Sequence, residues 1–170
     1  MIRSVILLAL AIVVPSSAAA QEKPPVELST ASFSVRPDSS RTSPTVEVDV
    51  VLVIQPGNFR HYRLDRRVTD RYGAVTSTSA DSRTCPAVMA QLAKVEALRM
   101  PTLVAPGSDR LREVPIILHA TNYSLKILAY DGGSNTTAQV ELLAQSGSPL
   151  GEWSEDTLKA LNPCWTSAES

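Results

Sequence analysis

An arginine-rich run is the part of this sequence with the clearest capacity for chemistry. Between residues 59 and 72, five arginines and one histidine stand against two aspartates, in a chain whose formal net charge is −1. Guanidinium groups present planar forks of donors that match carboxylate and phosphate oxygens, and tyrosine rings can stack on them. The run therefore predicts a site for an anionic ligand. Its candidate binding residues are Arg60, His61, Tyr62, Arg63, Arg66, Arg67 and Arg71.

Alternation divides the run between two faces if it forms a strand. The side chains of His61, Arg63 and Asp65 would then point one way, and those of Arg60, Tyr62, Leu64 and Arg66 the other. The alternative interpretation is a solvated edge strand whose charges guard it against aggregation. If the run binds a partner, we expect an anionic envelope component or an acidic protein surface. With a net charge of −1, the chain lacks the excess of basic residues that is typical of a nucleic-acid-binding protein.

Two cysteines, Cys85 and Cys164, are the only thiols of the chain. An even pair in an exported protein predicts a disulfide bond, because exported compartments are oxidising. A catalytic thiolate with His61 or His119 as its base is the alternative, and it would leave the other cysteine idle. A zinc site is disfavoured because the close ligand pairs that such sites use are absent.

Motifs of the common catalytic classes are absent from the sequence. A serine hydrolase needs a hydroxyl activated by a positioned base, yet no Gly-Xaa-Ser-Xaa-Gly elbow occurs. Glu47 and Asp49 would share one face of a strand, where paired acids more often solvate the surface than catalyse. No phosphate loop, dinucleotide fingerprint or calcium loop is present either. We therefore predict no catalytic residue, metal ligand or cofactor.

The first twenty residues have the pattern of a secretory signal peptide. One basic residue, Arg3, precedes an apolar run from Val5 to Val14, and Ala18-Ala19-Ala20 supplies a small-residue cleavage site. The apolar run is too short to span a membrane. We expect residues 1–20 to be removed and residues 21–170 to form a single globular domain with a loose leader at 21–25. The protein is then periplasmic or secreted, with a bacterial type of leader and no remaining membrane span.

Hydrophobic periodicity indicates two groups of strands, each followed by a helix. The first helix begins at Pro86 and stops before Pro101. The second has Ser154 as its N-cap, a staple between Trp153 and Leu158, and a terminator at Asn162-Pro163. The predicted strands are Val26–Val35, Thr45–Ile54, Phe59–Arg66, Tyr72–Thr78, Val114–Leu118, Tyr123–Ala129 and Ala138–Ala144.

Runs of strands followed by helices are typical of an α+β fold. We expect an antiparallel sheet, or sheets, of about seven strands covered on one face by two helices and stapled by one disulfide. With no catalytic motif, the expected function is that of a small non-catalytic binding or envelope-accessory protein. An inhibitor that plugs a hydrolase cleft and a hydrolase without a recognisable motif are the alternatives.

Overall fold

The structure, a computed structural model, describes residues 23–38, 43–98, 120–131 and 136–167. Four of the predicted strands, those that begin near Val26, Thr45, Tyr123 and Ala138, reappear within two residues of their predicted bounds. Apolar residues recur with a period of two along much of each of them. The strands are β1 (Val26–Arg36), β2 (Thr45–Ile54), β3 (Arg60–Thr69), β4 (Val75–Asp81), β5 (Asn122–Asp131), β6 (Thr136–Gln145) and β7 (Thr166–Ser167).

These strands form one antiparallel sheet in the order β6-β5-β1-β2-β3-β4-β7. The turn from β2 to β3 contains Gly57 and Asn58, both with positive φ angles of 84° and 68°. Glycine and asparagine tolerate that conformation better than other residues, which explains the strong turn signal of this segment.

Two helices cover one face of the sheet, as expected from the sequence. Helix α1 (Pro86–Ala93) continues into a 3₁₀ turn (Lys94–Ala97), and helix α2 (Pro149–Ala160) is followed by another (Asn162–Cys164). The predicted α+β architecture is confirmed.

The core lies between the helices and the central strands. Leu64 of β3, Val88 of α1 and Leu161 after α2 have no exposed surface. Phe33 and Trp153 meet edge to face with their ring centroids 5.0 Å apart, and the Trp153 Nε1–H donates to the Gln91 carbonyl oxygen at 3.1 Å. The indole thereby joins α2 both to the sheet and to α1.

The predicted disulfide joins Cys85 to Cys164, with their Cα atoms 5.9 Å apart. Cys85 immediately precedes α1, and Cys164 ends the turn after α2. The bridge therefore connects the start of α1 to the 3₁₀ turn that follows α2.

The predicted start of the second helix is wrong. Ser148, not Ser154, is the N-cap, and its hydroxyl accepts a hydrogen bond from the Gly151 N–H at 3.1 Å. The Ser154 hydroxyl lies inside the helix and donates to the Leu150 carbonyl oxygen. Gly151 lies in the first turn of the helix, where a Cβ would lie 3.1 Å from the Tyr123 ring, so close packing explains the glycine. The predicted Trp153 staple is wrong for the same reason, since Trp153 is a core residue within the helix.

Other boundaries also differ from the expectation. Strand β3 ends at Thr69 rather than Arg66, and β4 ends at Asp81 rather than Thr78. Strand β4 begins at Val75 rather than Tyr72, because the Asp70 carboxylate accepts from the Tyr72 and Ala74 N–H groups and holds a turn there. Helix α1 ends at Ala93, well before Pro101. The short strand β7 was not predicted.

Several sequence predictions lie outside the described residues. They are the signal peptide at 1–20, the strand Val114–Leu118 and the placement of His119.

Candidate functional site: a polar depression on the sheet

Strand β3 carries most of the predicted binding residues, and the sheet register divides them between two faces as expected. Tyr62 and Leu64 belong to the side packed under the helices. His61, Arg63 and Arg67 belong to the opposite side, which we call the polar face. Its described charged and hydroxyl side chains include Glu27, Ser32, Ser34, Arg36, Glu47, Asp49, Asp65, Ser124, Lys126 and Glu141.

The Arg63 guanidinium is fully engaged by two carboxylates. It donates to Glu27 at 2.7 and 2.9 Å, and to Asp65 at distances from 2.9 to 3.1 Å. Hydrogen bonding from Arg63 lowers the pKa of Glu27, and the two carboxylates raise the pKa of Arg63. Because Glu27 lies on β1 and Arg63 on β3, the bridge crosses β2, where Val51 and Val53 are buried on this face. The Arg63 guanidinium therefore makes its hydrogen bonds to carboxylates of the same chain.

Arg66 and Arg71 also have contacts within the chain. The Arg66 Nε–H donates to the Thr78 hydroxyl at 2.9 Å, and its guanidinium lies 4.3 Å from the Trp165 ring centroid. Burial lowers the pKa of Arg66. The Arg71 guanidinium stacks on Tyr72 at 4.5 Å, in the turn before β4. Arg60 is exposed at the far end of β3, opposite Ile54.

His61 is buried beside a carboxylate. Its Nε2 lies 3.3 Å from Asp81 Oδ2, and Asp81 also accepts hydrogen bonds from the Arg83 side chain and backbone. Burial alone would raise the pKa of Asp81, but the Arg83 hydrogen bonds and the nearby His61 lower it. The hydroxyl of Ser82, which follows Asp81 in the chain, accepts a hydrogen bond from the Tyr62 N–H at 3.0 Å. The buried His61 side chain therefore has a polar partner in Asp81, and this contact gives its burial a structural explanation.

Arg67 has a different environment from the other arginines of β3. Its side chain is 57% exposed, and its Nη1 lies 3.7 Å from Glu47 Oε2. Arg36, which ends β1 and is 62% exposed, donates to the other oxygen of the same carboxylate at 3.0 Å. Two guanidinium groups therefore share one carboxylate, which leaves a surplus positive charge on exposed side chains.

These side chains border a shallow polar depression of about 200 Å³ on the polar face. Its sides carry Lys126 and Asp49 in addition to the Arg36–Glu47–Arg67 cluster. The hydroxyls of Ser34 and Ser124, 2.8 Å apart, lie between β1 and β5. Lys126 contacts Glu141 of β6 at 3.5 Å. The depression therefore offers guanidinium donors beside hydroxyl groups that can donate or accept.

Of the seven predicted binding residues, the structure brings Arg67 alone to this depression, and the sequence did not single out its partners Arg36, Ser34, Ser124 and Lys126. Arg36 directly follows the first predicted strand, and Glu47 lies on the second. Pairing of those two strands was the signal that could have brought the two residues together. Ser34 and Ser124 are 90 residues apart, and only the β1–β5 pairing brings them together.

Another concavity, of about 420 Å³, lies between α1 and the helix-covered side of the sheet. Tyr62 lines it together with Met89, Leu92, Val95 and Ile127. Its lining is mainly apolar, so it differs in chemistry from the depression. Tyr62, a predicted binding residue, thus lies away from Arg67.

The described residues contain no group of three or more histidine, cysteine or acidic side chains placed to hold a metal ion. Among the same residues, no helix combines the length and the apolar character that crossing a membrane requires. Comparisons of the chain with protein families, with curated proteins and with solved structures found no match.

Proposed function

We propose that this chain is an exported, non-catalytic binding protein that recognises an acidic protein surface through the polar depression. The observation that carries the proposal is the sharing of Glu47 by Arg36 and Arg67. A second carboxylate, supplied by a partner, would balance the charge of this cluster.

The chemistry of the cluster suits a carboxylate. Charge-assisted hydrogen bonds from arginine are strong, and its planar fork can bind both oxygens of the group. The neighbouring Ser34 and Ser124 hydroxyls can satisfy polar groups beside it. Both guanidinium groups are more than half exposed, so little protein reorganisation is needed before binding.

The surrounding charges favour a protein partner over an anionic polymer or an anionic membrane. Asp49 borders the depression, and Glu141 lies beyond Lys126. A dense array of phosphates or sulfates would meet these carboxylates and be repelled. An isolated glutamate or aspartate among neutral polar side chains fits between the cations without that penalty.

The second part of the proposal is that the protein is exported. It is supported by the leader pattern at residues 1–20 and by the disulfide, which exported compartments favour. Expression in a bacterial host, followed by the intact mass of the exported product, tests it. We expect a chain that begins at Gln21, and an uncleaved chain retained with the membranes would contradict export.

Binding is tested with a synthetic serine-rich peptide that carries a single central glutamate, titrated calorimetrically into the full mature protein. We expect saturable binding that weakens as salt rises, because exposed charges are screened over about 8 Å at physiological ionic strength. Arg36→Ala and Arg67→Ala should each weaken the affinity about three- to fivefold.

Arg60→Ala is the matched control. It removes the same charge from an exposed position on β3, about 23 Å along the strand from Arg67. Its affinity should equal that of the wild type. Equal binding of the same peptide with glutamine in place of its glutamate, or binding of phosphatidylglycerol vesicles without binding of the acidic peptide, would overturn the proposal.

A further inference from the structure

The two edges of the sheet differ greatly in length. At one edge, β7 pairs only two residues with β4, whereas at the other edge β6 is ten residues long. Strand β6 pairs with β5 along its full length without a shift in register. On its other side, no strand of the described part of the chain lies against it. An edge strand presents a row of backbone donors and acceptors to any chain that can pair with it.

The sequence of strand β6 and its pairing with β5 also lack several features that protect such an edge. The strand contains no proline, lysine or arginine, and its pairing with β5 has no bulge. Its single charge, Glu141, is directed to Lys126 of the neighbouring strand at 3.5 Å. Leu143 is 75% exposed on the same strand. The edge is therefore long, regular and nearly uncharged.

We propose that β6 pairs antiparallel with β6 of a second copy of this chain, joining two sheets into one. The sequence of the strand supports a copy of itself as the occupant. A two-fold axis at Val140 places Gln139 opposite Glu141 of the partner subunit, so that an amide faces each carboxylate. It also pairs Ala138 with Leu142 across the seam. An axis at Glu141 would instead place two carboxylates face to face, which is unfavourable.

This arrangement has a consequence for the polar face. A two-fold axis normal to the sheet keeps corresponding faces on the same side. The two polar depressions would then face the same direction, and a partner with two acidic patches could engage both copies. The pairing itself rests only on β6 and does not depend on the proposed binding function.

Sedimentation of the full mature protein over a range of concentrations tests the pairing. We expect a reversible monomer–dimer equilibrium that responds to the charge at position 139. Gln139→Glu places like charges opposite each other twice per dimer and should raise the dissociation constant about three- to tenfold. Gln139→Lys places a cation opposite each Glu141 and should lower it by a similar factor.

Because Gln139 is exposed, neither substitution removes core packing. The register is tested separately with Val140→Cys and Leu142→Cys, since the described cysteines are both in the disulfide. Under mild oxidation Val140→Cys should yield a covalent dimer, and Leu142→Cys should not. A protein that stays monomeric at all concentrations, or a dimer insensitive to both Gln139 variants, would overturn the proposal.

Discussion

Arg36 and Arg67 approach opposite oxygens of the Glu47 carboxylate, at 3.0 and 3.7 Å respectively. The three residues come from three adjacent strands, because Glu47 of β2 pairs with Ser34 of β1 and with Arg67 of β3. Arg63 shows the opposite arrangement, with one guanidinium held by two carboxylates. Arg63 and Arg67 lie on the same strand, but only Arg67 shares its carboxylate with a second guanidinium group.

Replacing Arg63 should affect folding rather than binding. Arg63→Met leaves Glu27 and Asp65 without their shared cation, and we expect a loss of about 1 kcal/mol in the free energy of unfolding at pH 7, since the pairs are partly exposed. Arg67→Ala should change that free energy by less and weaken binding of the acidic peptide more. Urea unfolding and calorimetric titration of the two variants separate these outcomes. Weakened binding by Arg63→Met with unchanged stability would contradict this assignment.

The Arg63 contribution should also depend on pH. The folded-state pKa of Glu27 is lowered, so its stabilisation is present above the unfolded-state value of about 4.3 and is lost as the pH falls through the folded-state value. The difference in stability between the wild type and Arg63→Met should therefore shrink in acid. Urea unfolding at pH 7 and pH 3 measures it. A difference that stays constant would show that the lost stability comes from packing instead.

Asp81 should give the free energy of unfolding a second, independent dependence on pH. Its pKa is lowered because the Arg83 hydrogen bonds and His61 outweigh the effect of burial. Its contribution to stability is therefore full above about pH 4 and declines as the pH falls through the lowered value. Asp81→Asn should flatten this acid branch of the stability profile. An acid branch as steep as that of the wild type would contradict the assignment.

The start of helix α2 can be tested with two serines six residues apart. Ser148→Ala removes the N-cap acceptor and should cost about 1 kcal/mol of stability. Ser154→Ala removes a hydroxyl that bonds back to the Leu150 carbonyl within the helix, an interaction that contributes little. Chemical denaturation compares them. The reverse order of effects would restore the start that the sequence predicted.

The strands were predictable and the second helix start was not, for a physical reason. In β2, Val46, Val48 and Val50 repeat with a period of two, and that local pattern survives in the sheet. Gly151 opposes a helix in isolation, yet it lies in α2 because the Tyr123 ring occupies the space of a side chain. That contact joins residues 28 positions apart, and local propensity does not contain it.

The candidate site was predictable only in part for a similar reason. The density of arginine pointed to β3, and Arg67 does lie at the depression. Which arginine remains available depends on carboxylates from other strands: Glu27 lies 36 residues from Arg63, and Glu47 is shared with Arg36. Composition identifies the charges, but the register of the sheet decides which of them neutralise each other.

The disulfide should contribute stability without contributing to binding. It closes a loop with a sequence separation of 79, for which loop entropy predicts roughly 4.5 kcal/mol. Replacing both Cys85 and Cys164 by alanine should lower the free energy of unfolding by an amount of that order. Acidic-peptide affinity should be unchanged in the fraction that remains folded. A folded variant that has lost binding would indicate a functional role for the cysteines.

The affinity of Glu47→Gln for the serine-rich peptide with a single glutamate tests the central claim most directly. Glutamine keeps the size of the side chain and removes the carboxylate charge that Arg36 and Arg67 share. If the depression binds a partner's carboxylate, both guanidinium groups become more available and the variant should bind the peptide more tightly than the wild type, with a steeper dependence on salt. An unchanged or weaker affinity in a folded variant would contradict the account.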